Sequence, residues 1–397
     1  MNKVTQWIGR QLSSALISRF RDANLTICTP DGVVHSLGHE NHEGFDPIRI
    51  NDWSFFWDLL MGHDLGLAKS YLEKKWEHGN LPVLFRQLAH QADQISSVKS
   101  ITLAPEKLYS KYFQRLRSSN SMWWASRNIS AHYDMSNEFF ENILDSSMTY
   151  SCGIFENKNN SLRQAQEQKL DVLFDNSGLE VGQRILDIGC GWGGLITRAS
   201  QQHRVHATGV TLSEQQYNYS CSKNAQDHSG ASQEILFQDY RTISGEFDHI
   251  FSVEMLEAVG FKGIYQFFEK CAFLLKKGGT IQIQVIIVPD ERYESYRRNC
   301  DFIQKYIFPG GELPSLGVIE DAANKFGFSL NRSQSIGEDY VITLQKWRER
   351  LHINAEKIFE LGFSQRDFRR FDYYFSYCEG AFEAGHIDNF QLSYVKE

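Results

Sequence analysis

Gly189, Gly191 and Gly193 recur at alternate positions in Leu186-Asp187-Ile188-Gly189-Cys190-Gly191-Trp192-Gly193-Gly194, after a strand-like run and ahead of a helical one. Glycines there let a ligand approach the backbone where a helix start presents free N–H groups, so the pattern points to a nucleotide-like ligand. A tight strand-to-helix turn without a ligand is the structural alternative, and a dinucleotide the chemical competitor. Asp187 discriminates between ligands. A carboxylate just before the glycines repels dinucleotide phosphates but pairs with a cationic aminoacyl group such as that of S-adenosylmethionine. The second strand ends in GVTLSEQQ with no acidic residue at its tip, where a ribose-binding carboxylate usually lies. Glu214 and Gln216 at the next helix start are the candidates. Ser213 has the chemistry of an N-cap for that helix.

Stepping outward, strand-like runs alternate with helical ones after Val181: RILDIG, GGLITRASQQ, HATGVT, SEQQYNYSCSKNAQ, EILFQD, FDHIFSVE, a helix from Gly263 to Leu275, and TIQIQVIIV. This order predicts an α/β, doubly wound, Rossmann-like parallel sheet, with the final QLSYVK as an antiparallel edge strand. From Leu25 to Phe85 the pattern is short and mixed, with a hairpin around Pro30-Asp31-Gly32 and then helices, as in a small α+β module. Between about Ser96 and Asn120 the chain turns polar and basic. The expected organisation is therefore an N-terminal domain over residues 1–102, a linker over 103–120 and a catalytic domain over 121–397.

The chain has 397 residues with 42% hydrophobic and 23% charged, the usage of an ordinary folded protein. A formal net charge of −8 argues against a nucleic-acid partner. The seven cysteines are scattered and never form a C-x-x-C pair, so neither a disulfide framework nor a metal site is expected, and a reducing, cytoplasmic setting is. No window approaches the roughly 18 apolar residues of a spanning helix. The N-terminus sets Val4, Trp7, Ile8, Leu12, Ala15, Leu16 and Phe20 at helical spacing with Lys3, Arg10 and Arg19 among them. Such a helix either packs on its own domain or seeks a membrane surface.

HYDMSNEFF (132–140), MTYSCGIF (148–155), AQEQKL (165–170), ILDIGCGWGGL (185–195), GVTLSEQQ (209–216), QDYR (238–241), EMLEAVG (254–260), DFIQKYIFPGGELPS (301–315) and YCEGAF (377–382) together closely resemble cyclopropane-fatty-acid-phospholipid synthases. The likeness covers the whole second domain, and the first is similar, more loosely, to the lipid-associated N-terminal domain of those enzymes. The resemblance implies a class I methyltransferase domain that binds S-adenosylmethionine. By match of motif, the binding residues are Tyr150, Ser151, Asp187, Gly189, Gly191, Gly193, Thr211, Ser213, Gln216, Asp239 and Tyr240.

The implied reaction is transfer of a methylene to the cis double bond of an unsaturated phospholipid acyl chain, at the inner membrane face, by a peripheral enzyme for which a homodimer is allowed. Methyl transfer leaves a carbocation, for which Phe139, Phe140, Tyr306, Phe308 and Tyr340 are aromatic candidates with core packing as their alternative. The family's base is a bound bicarbonate. Carried over by motif, its holders are Glu257, Tyr340, Cys152 and Ile286, with Gln284 standing where a histidine is expected and Ala258 following Glu257 where some members have histidine. Glu254 and Glu257, three apart, have a solvated acidic pair as the plain alternative. Cys378 matches a cysteine once considered a nucleophile, although a buried structural thiol fits it better. His132, Tyr133 and Asp134 are expected near the entrance to the site. Two rivals stand beside this reading: an acyl C-methyltransferase giving methyl-branched lipid, kept open by Gln284 and Ala258, and a noncatalytic lipid-binding protein.

Overall fold

A computed structural model describes residues 3–19, 24–38, 46–90, 135–224 and 232–397. The proposed linker, the start of the expected catalytic domain, and His132, Tyr133 and Asp134 lie outside the described residues.

The catalytic part is a seven-stranded sheet in the order β10-β11-β9-β8-β5-β6-β7. Its strands are β5 (Arg184–Ile188), β6 (His206–Thr211), β7 (Gln233–Phe237), β8 (Phe247–Val253), β9 (Leu275–Ile287), β10 (Phe328–Ser335) and β11 (Asp388–Lys396). β7, β6, β5, β8 and β9 are parallel and coincide with the runs read from sequence. The chain moves outward from β5 through β6 and β7, then crosses back to β8 on the other side of β5. The topological switch point, where such sheets bind ligands, therefore lies beyond the C-terminal ends of β5 and β8.

The C-terminal segment QLSYVK is not at the edge. β11 pairs antiparallel with both β9 and β10, so β10, unread in the sequence, forms the rim. An interior strand needs partners for its polar side chains, and it finds them. Gln391 donates to Gln284 Oε1 at 3.0 Å, and Gln282 donates to Ser393 Oγ at 2.9 Å.

The N-terminal part is a four-stranded sheet, β2-β1-β3-β4, made of β1 (Leu25–Cys28), β2 (Val34–Leu37), β3 (Ile48–Ile50) and β4 (Trp76–Glu77). β1 and β2 form the expected hairpin, turning at Gly32 with φ 85°. The first helix, Lys3–Arg19, packs through Gly9, Ser13, Leu16 and Ile17, while Val4 and Trp7 stay 58% and 65% exposed. Its apolar stripe is thus divided between an inward face and a bare outer end.

One continuous core joins the two parts. Leu81, Leu84 and Phe85 of helix Leu81–His90 cluster with Phe371, Tyr373 and Phe375 of helix Gln365–Glu383. The Phe85 and Tyr373 rings meet at 4.8 Å. Tyr71 OH donates to Asp372 at 2.9 Å, and Arg369 stacks 3.8 Å over the Tyr71 ring while donating to the Tyr71 carbonyl. The close approach of the two helices depends on Gly380, where an added Cβ would lie 2.6 Å from the Arg86 backbone nitrogen. Gly380→Ala should therefore cost roughly 1–3 kcal/mol of stability through overpacking. An unchanged melting temperature in thermal unfolding would contradict that contact.

Candidate active site

The loop from Met148 to Phe155 is clamped from two sides. A capping box of Ser161 and Gln164 starts helix Leu162–Ser177. From its buried face Gln166 donates to the Ser151 carbonyl at 2.7 Å, and the Ala165 carbonyl accepts from Ile154 N at 2.9 Å. Opposite, helix Gly337–Ile353 accepts from Gly153 N through Thr343 and from Phe155 N through Asp339. The loop is thereby fixed over the switch point, where a cavity opens against Tyr150, Asp187, Gly191, Gln216, Tyr240 and Glu254.

Tyr150, Ser151, Asp187, Gly189, Gly191, Thr211, Gln216, Asp239 and Tyr240, all expected at the ligand, line this cavity. Gly189 and Gly191 have φ of 84° and 54°, and a Cβ built on Gly191 meets nothing within 4 Å, so the turn is open toward the cavity. Two expected residues do not line it. Gly193 is the left-handed residue that starts helix Gly194–His203. Ser213 accepts from Gln216 N at 3.3 Å, and its hydroxyl is used as the helix cap. Glu214 is exposed, whereas Gln216 reaches the cavity and accepts from Thr211 Oγ1 at 2.8 Å. Asp239 is turned to Arg241, which donates to both its oxygens.

Asp187 Oδ1 is buried without a hydrogen-bond partner, and burial pushes its carboxyl up to about 7 despite the nearby Lys169. An orphaned carboxylate oxygen at a glycine cradle suits a ligand ammonium, and so fits the aminoacyl end of S-adenosylmethionine. Lys169, which the sequence reading passed over, is fully buried, lines the cavity and donates to Ser151 Oγ at 2.7 Å. Burial pulls its ammonium down to about 8. The available signal was its place in AQEQKL, where it shares the inward helical face with Ala165 and Gln166.

Three of the residues assigned to bicarbonate, Cys152, Gln284 and Tyr340, come together, but around a carboxylate of the chain. Glu254 follows β8 with φ 51° and is one of the residues that line the cavity. Oε1 accepts from Cys152 N at 3.0 Å, Gln284 Nε2 at 2.9 Å and Asn389 Nδ2 at 2.7 Å, and Oε2 accepts from Tyr340 OH at 2.7 Å. Ile286 N instead donates to Glu257 Oε1 at 2.6 Å. Every donor expected to hold a separate anion is already bonded to a carboxylate of the chain, and a second anion beside Glu254 would add like-charge repulsion. Bicarbonate does not fit this arrangement.

Further corrections follow. Glu257 is not among the residues that line the cavity, and its Oε2 is buried without a partner; burial first and the Glu254 charge second push it up to about 8, so it is mainly protonated at neutral pH. Gln284 is a support, donating to both Glu254 and the Cys152 carbonyl. Cys152 contributes its backbone N–H, while its thiol is held up by burial. Cys378 packs against the core away from the cavity lining, and burial raises its thiol too, which removes the nucleophile role. Phe139 and Phe140 are fully buried core residues, while Tyr150 packs against Trp347 and Phe308 at 5.1 and 6.5 Å. Among the described residues no cluster of three or more His, Cys, Asp or Glu could hold a metal ion.

The sheet order, the glycine turn at the switch point and the carboxylate preceding it define a class I S-adenosylmethionine-dependent methyltransferase. Residues 121–392 match the family model for mycolic acid cyclopropane synthetase, and the chain belongs to that family. It is 34% identical over 341 residues to tuberculostearic acid methyltransferase UfaA1 of Mycobacterium tuberculosis, covering 84% of this chain and 79% of the relative. It is 33% identical over 360 residues to the cyclopropane-fatty-acyl-phospholipid synthase of Escherichia coli, covering 88% and 87%. The crystal structure of the mycolic acid cyclopropane synthase CmaA1 with SAH and CTAB superposes with a TM-score of 0.65 at 32% identity, over 68% of this chain and 98% of the other.

The Asp187 assignment makes a pH prediction. Its carboxyl is neutral below about 7 and charged above, so affinity for S-adenosylmethionine should strengthen as pH rises from 6 to 8. Asp187→Asn should weaken binding roughly tenfold or more and flatten the profile. Calorimetric titrations giving parallel profiles for the two proteins would remove Asp187 from the ligand site.

Proposed function

We propose that this enzyme uses S-adenosylmethionine to convert the cis double bond of an unsaturated phospholipid acyl chain into a cyclopropane. When bound, S-adenosylmethionine supplies an electrophilic sulfonium methyl. The carrying observation is that one cavity is lined both by Asp187, with its orphaned carboxylate oxygen at the glycine turn, and by a second acidic residue, Glu254, at the end of β8. Methyl transfer to an amine or hydroxyl needs only positioning and loss of a heteroatom proton, whereas addition to an alkene creates a cation whose proton comes from carbon.

In this reading Gly189 and Gly191 admit the cofactor to the backbone and Asp187 holds its ammonium. Tyr150, packed by Trp347 and Phe308, closes an apolar wall that keeps water from the cation. Tyr340, Cys152 and Gln284 fix Glu254 in place.

The phospholipid assignment draws support from coverage. The similarity to the Escherichia coli phospholipid synthase spans 88% of the chain, more than the catalytic domain alone, whereas that to CmaA1 spans 68%. Among the described residues no helix is long and apolar enough to cross a membrane. Lipid is then reached from the surface, on the cytoplasmic face, with Val4 and Trp7 at the bare end of the first helix as contacts. A methyl-branched product is the second reading, favoured by the 34% identity to tuberculostearic acid methyltransferase.

Purified protein incubated with S-adenosylmethionine and vesicles of unsaturated phospholipid should yield cyclopropane acyl chains by gas chromatography with mass spectrometry. A methyl-branched acyl product would establish the second reading instead, and no lipid product would reject both. Trp7→Ala should lower vesicle binding several-fold and leave cofactor affinity unchanged, since a single large interfacial side chain is lost. Unchanged co-sedimentation with vesicles would exclude that end of the helix as a lipid contact.

A further inference from the structure

We propose that Glu254 is the enzyme's resident general base, a fixed carboxylate standing where a small exchangeable anion would otherwise be held. This rests on the reading that the reaction passes through an acyl-chain cation.

Four observations carry the assignment. Glu254 lines the cavity, whereas Tyr340, Gln284, Ile286 and Glu257 do not. Its two oxygens accept from four donors supplied by separate parts of the chain, namely Cys152, Gln284, Asn389 and Tyr340. Its backbone is held at φ 51°, a region that non-glycine residues occupy at a cost and that recurs where function requires a particular side-chain placement. Glu257, the neighbouring carboxyl, is committed to Ile286 N and is not among the residues that line the cavity.

The step balances without any further reagent. A C–H bond of the transferred carbon breaks, and its electron pair forms the third side of the ring at the cationic carbon. The proton goes to a Glu254 oxygen and leaves to solvent before the next turnover. A hydrocarbon cation is a far stronger acid than any carboxylic acid, so the placement of the carboxylate matters more than its basicity. Before the proton moves, the same negative charge stabilises the cation. Glu257, kept mainly neutral beside it, avoids a second competing anion.

The geometry supplies its own test, because glycine accepts φ 51° without strain and Glu254→Gly should empty the anion's place while preserving the turn. In bicarbonate-free buffer the unmodified enzyme should keep its rate of lipid product formation within about twofold, and Glu254→Gly should lose roughly a hundredfold or more. Added bicarbonate should restore part of the Glu254→Gly activity but none to Glu254→Gln, whose amide fills the place without the charge. Both variants should bind S-adenosylmethionine within a few-fold of the unmodified protein by calorimetry, which also reports that they fold.

A binding experiment reads the same claim without turnover. Carbon-13 bicarbonate observed by NMR should show binding to Glu254→Gly and none to the unmodified protein. Bicarbonate binding by the unmodified protein, a bicarbonate requirement for its activity, or undiminished turnover of Glu254→Gly in bicarbonate-free buffer would overturn the proposal. If the unmodified enzyme gives no lipid product, the functional reading fails, while the NMR comparison still decides whether Glu254 fills the anion's place.

Discussion

Glu254 gathers hydrogen bonds from residues 102, 30, 135 and 86 positions away: Cys152 in the loop over the switch point, Gln284 on β9, Asn389 on β11 and Tyr340 on a C-terminal helix. A partly buried carboxylate is costly unless its oxygens are satisfied, so these four contacts must form together or the site is destabilised. That requirement explains much of the surrounding architecture. β11 has to enter the sheet next to β9 to deliver Asn389, and the two clamping helices have to fix the Met148–Phe155 loop so that Cys152 N–H points inward.

The second carboxylate, Asp187, is treated in the opposite way. Glu254 is saturated with donors, whereas Asp187 keeps a buried oxygen unpartnered and its carboxyl is pushed up to about 7. One acid is therefore fixed within the protein's own network, and the other retains capacity for a ligand. They sit at the ends of β8 and β5, the two strands flanking the topological switch point. The fold thus places an acid with an unpartnered oxygen and a second, fully anchored acid at the ends of neighbouring strands that line one cavity.

The parallel half of the sheet was legible because its strands are apolar, short and separated by helix-length segments, and the glycine turn was legible because backbone conformation dictates its composition. β11 was misplaced for a physical reason. Its interior position is hidden by Asn389, Gln391 and Ser393, polar residues that read as an exposed edge until Gln282 and Gln284 on β9 are seen to satisfy two of them. In EMLEAVG, spacing alone could not choose between the two glutamates. The choice is made by the positive φ at Glu254 and by which of the two residues lines the cavity, and neither is encoded in a local pattern. Of the donors expected around an anion, Tyr340, the Cys152 backbone and Gln284 converge on one negative group, which the chain itself contributes. Lys169 escaped notice because a lysine on a helix reads as solvated, although its neighbours on the same face are buried.

The central claim, that a side-chain carboxylate rather than a free anion occupies this position, is tested most directly by a high-resolution crystal structure. The protein would be bound to S-adenosylhomocysteine and grown in bicarbonate-rich buffer. The account predicts the Glu254 carboxylate bonded to Tyr340 OH and Cys152 N, with no separate trigonal anion between them. A bicarbonate ion bound by those two donors, with Glu254 turned away, would contradict it.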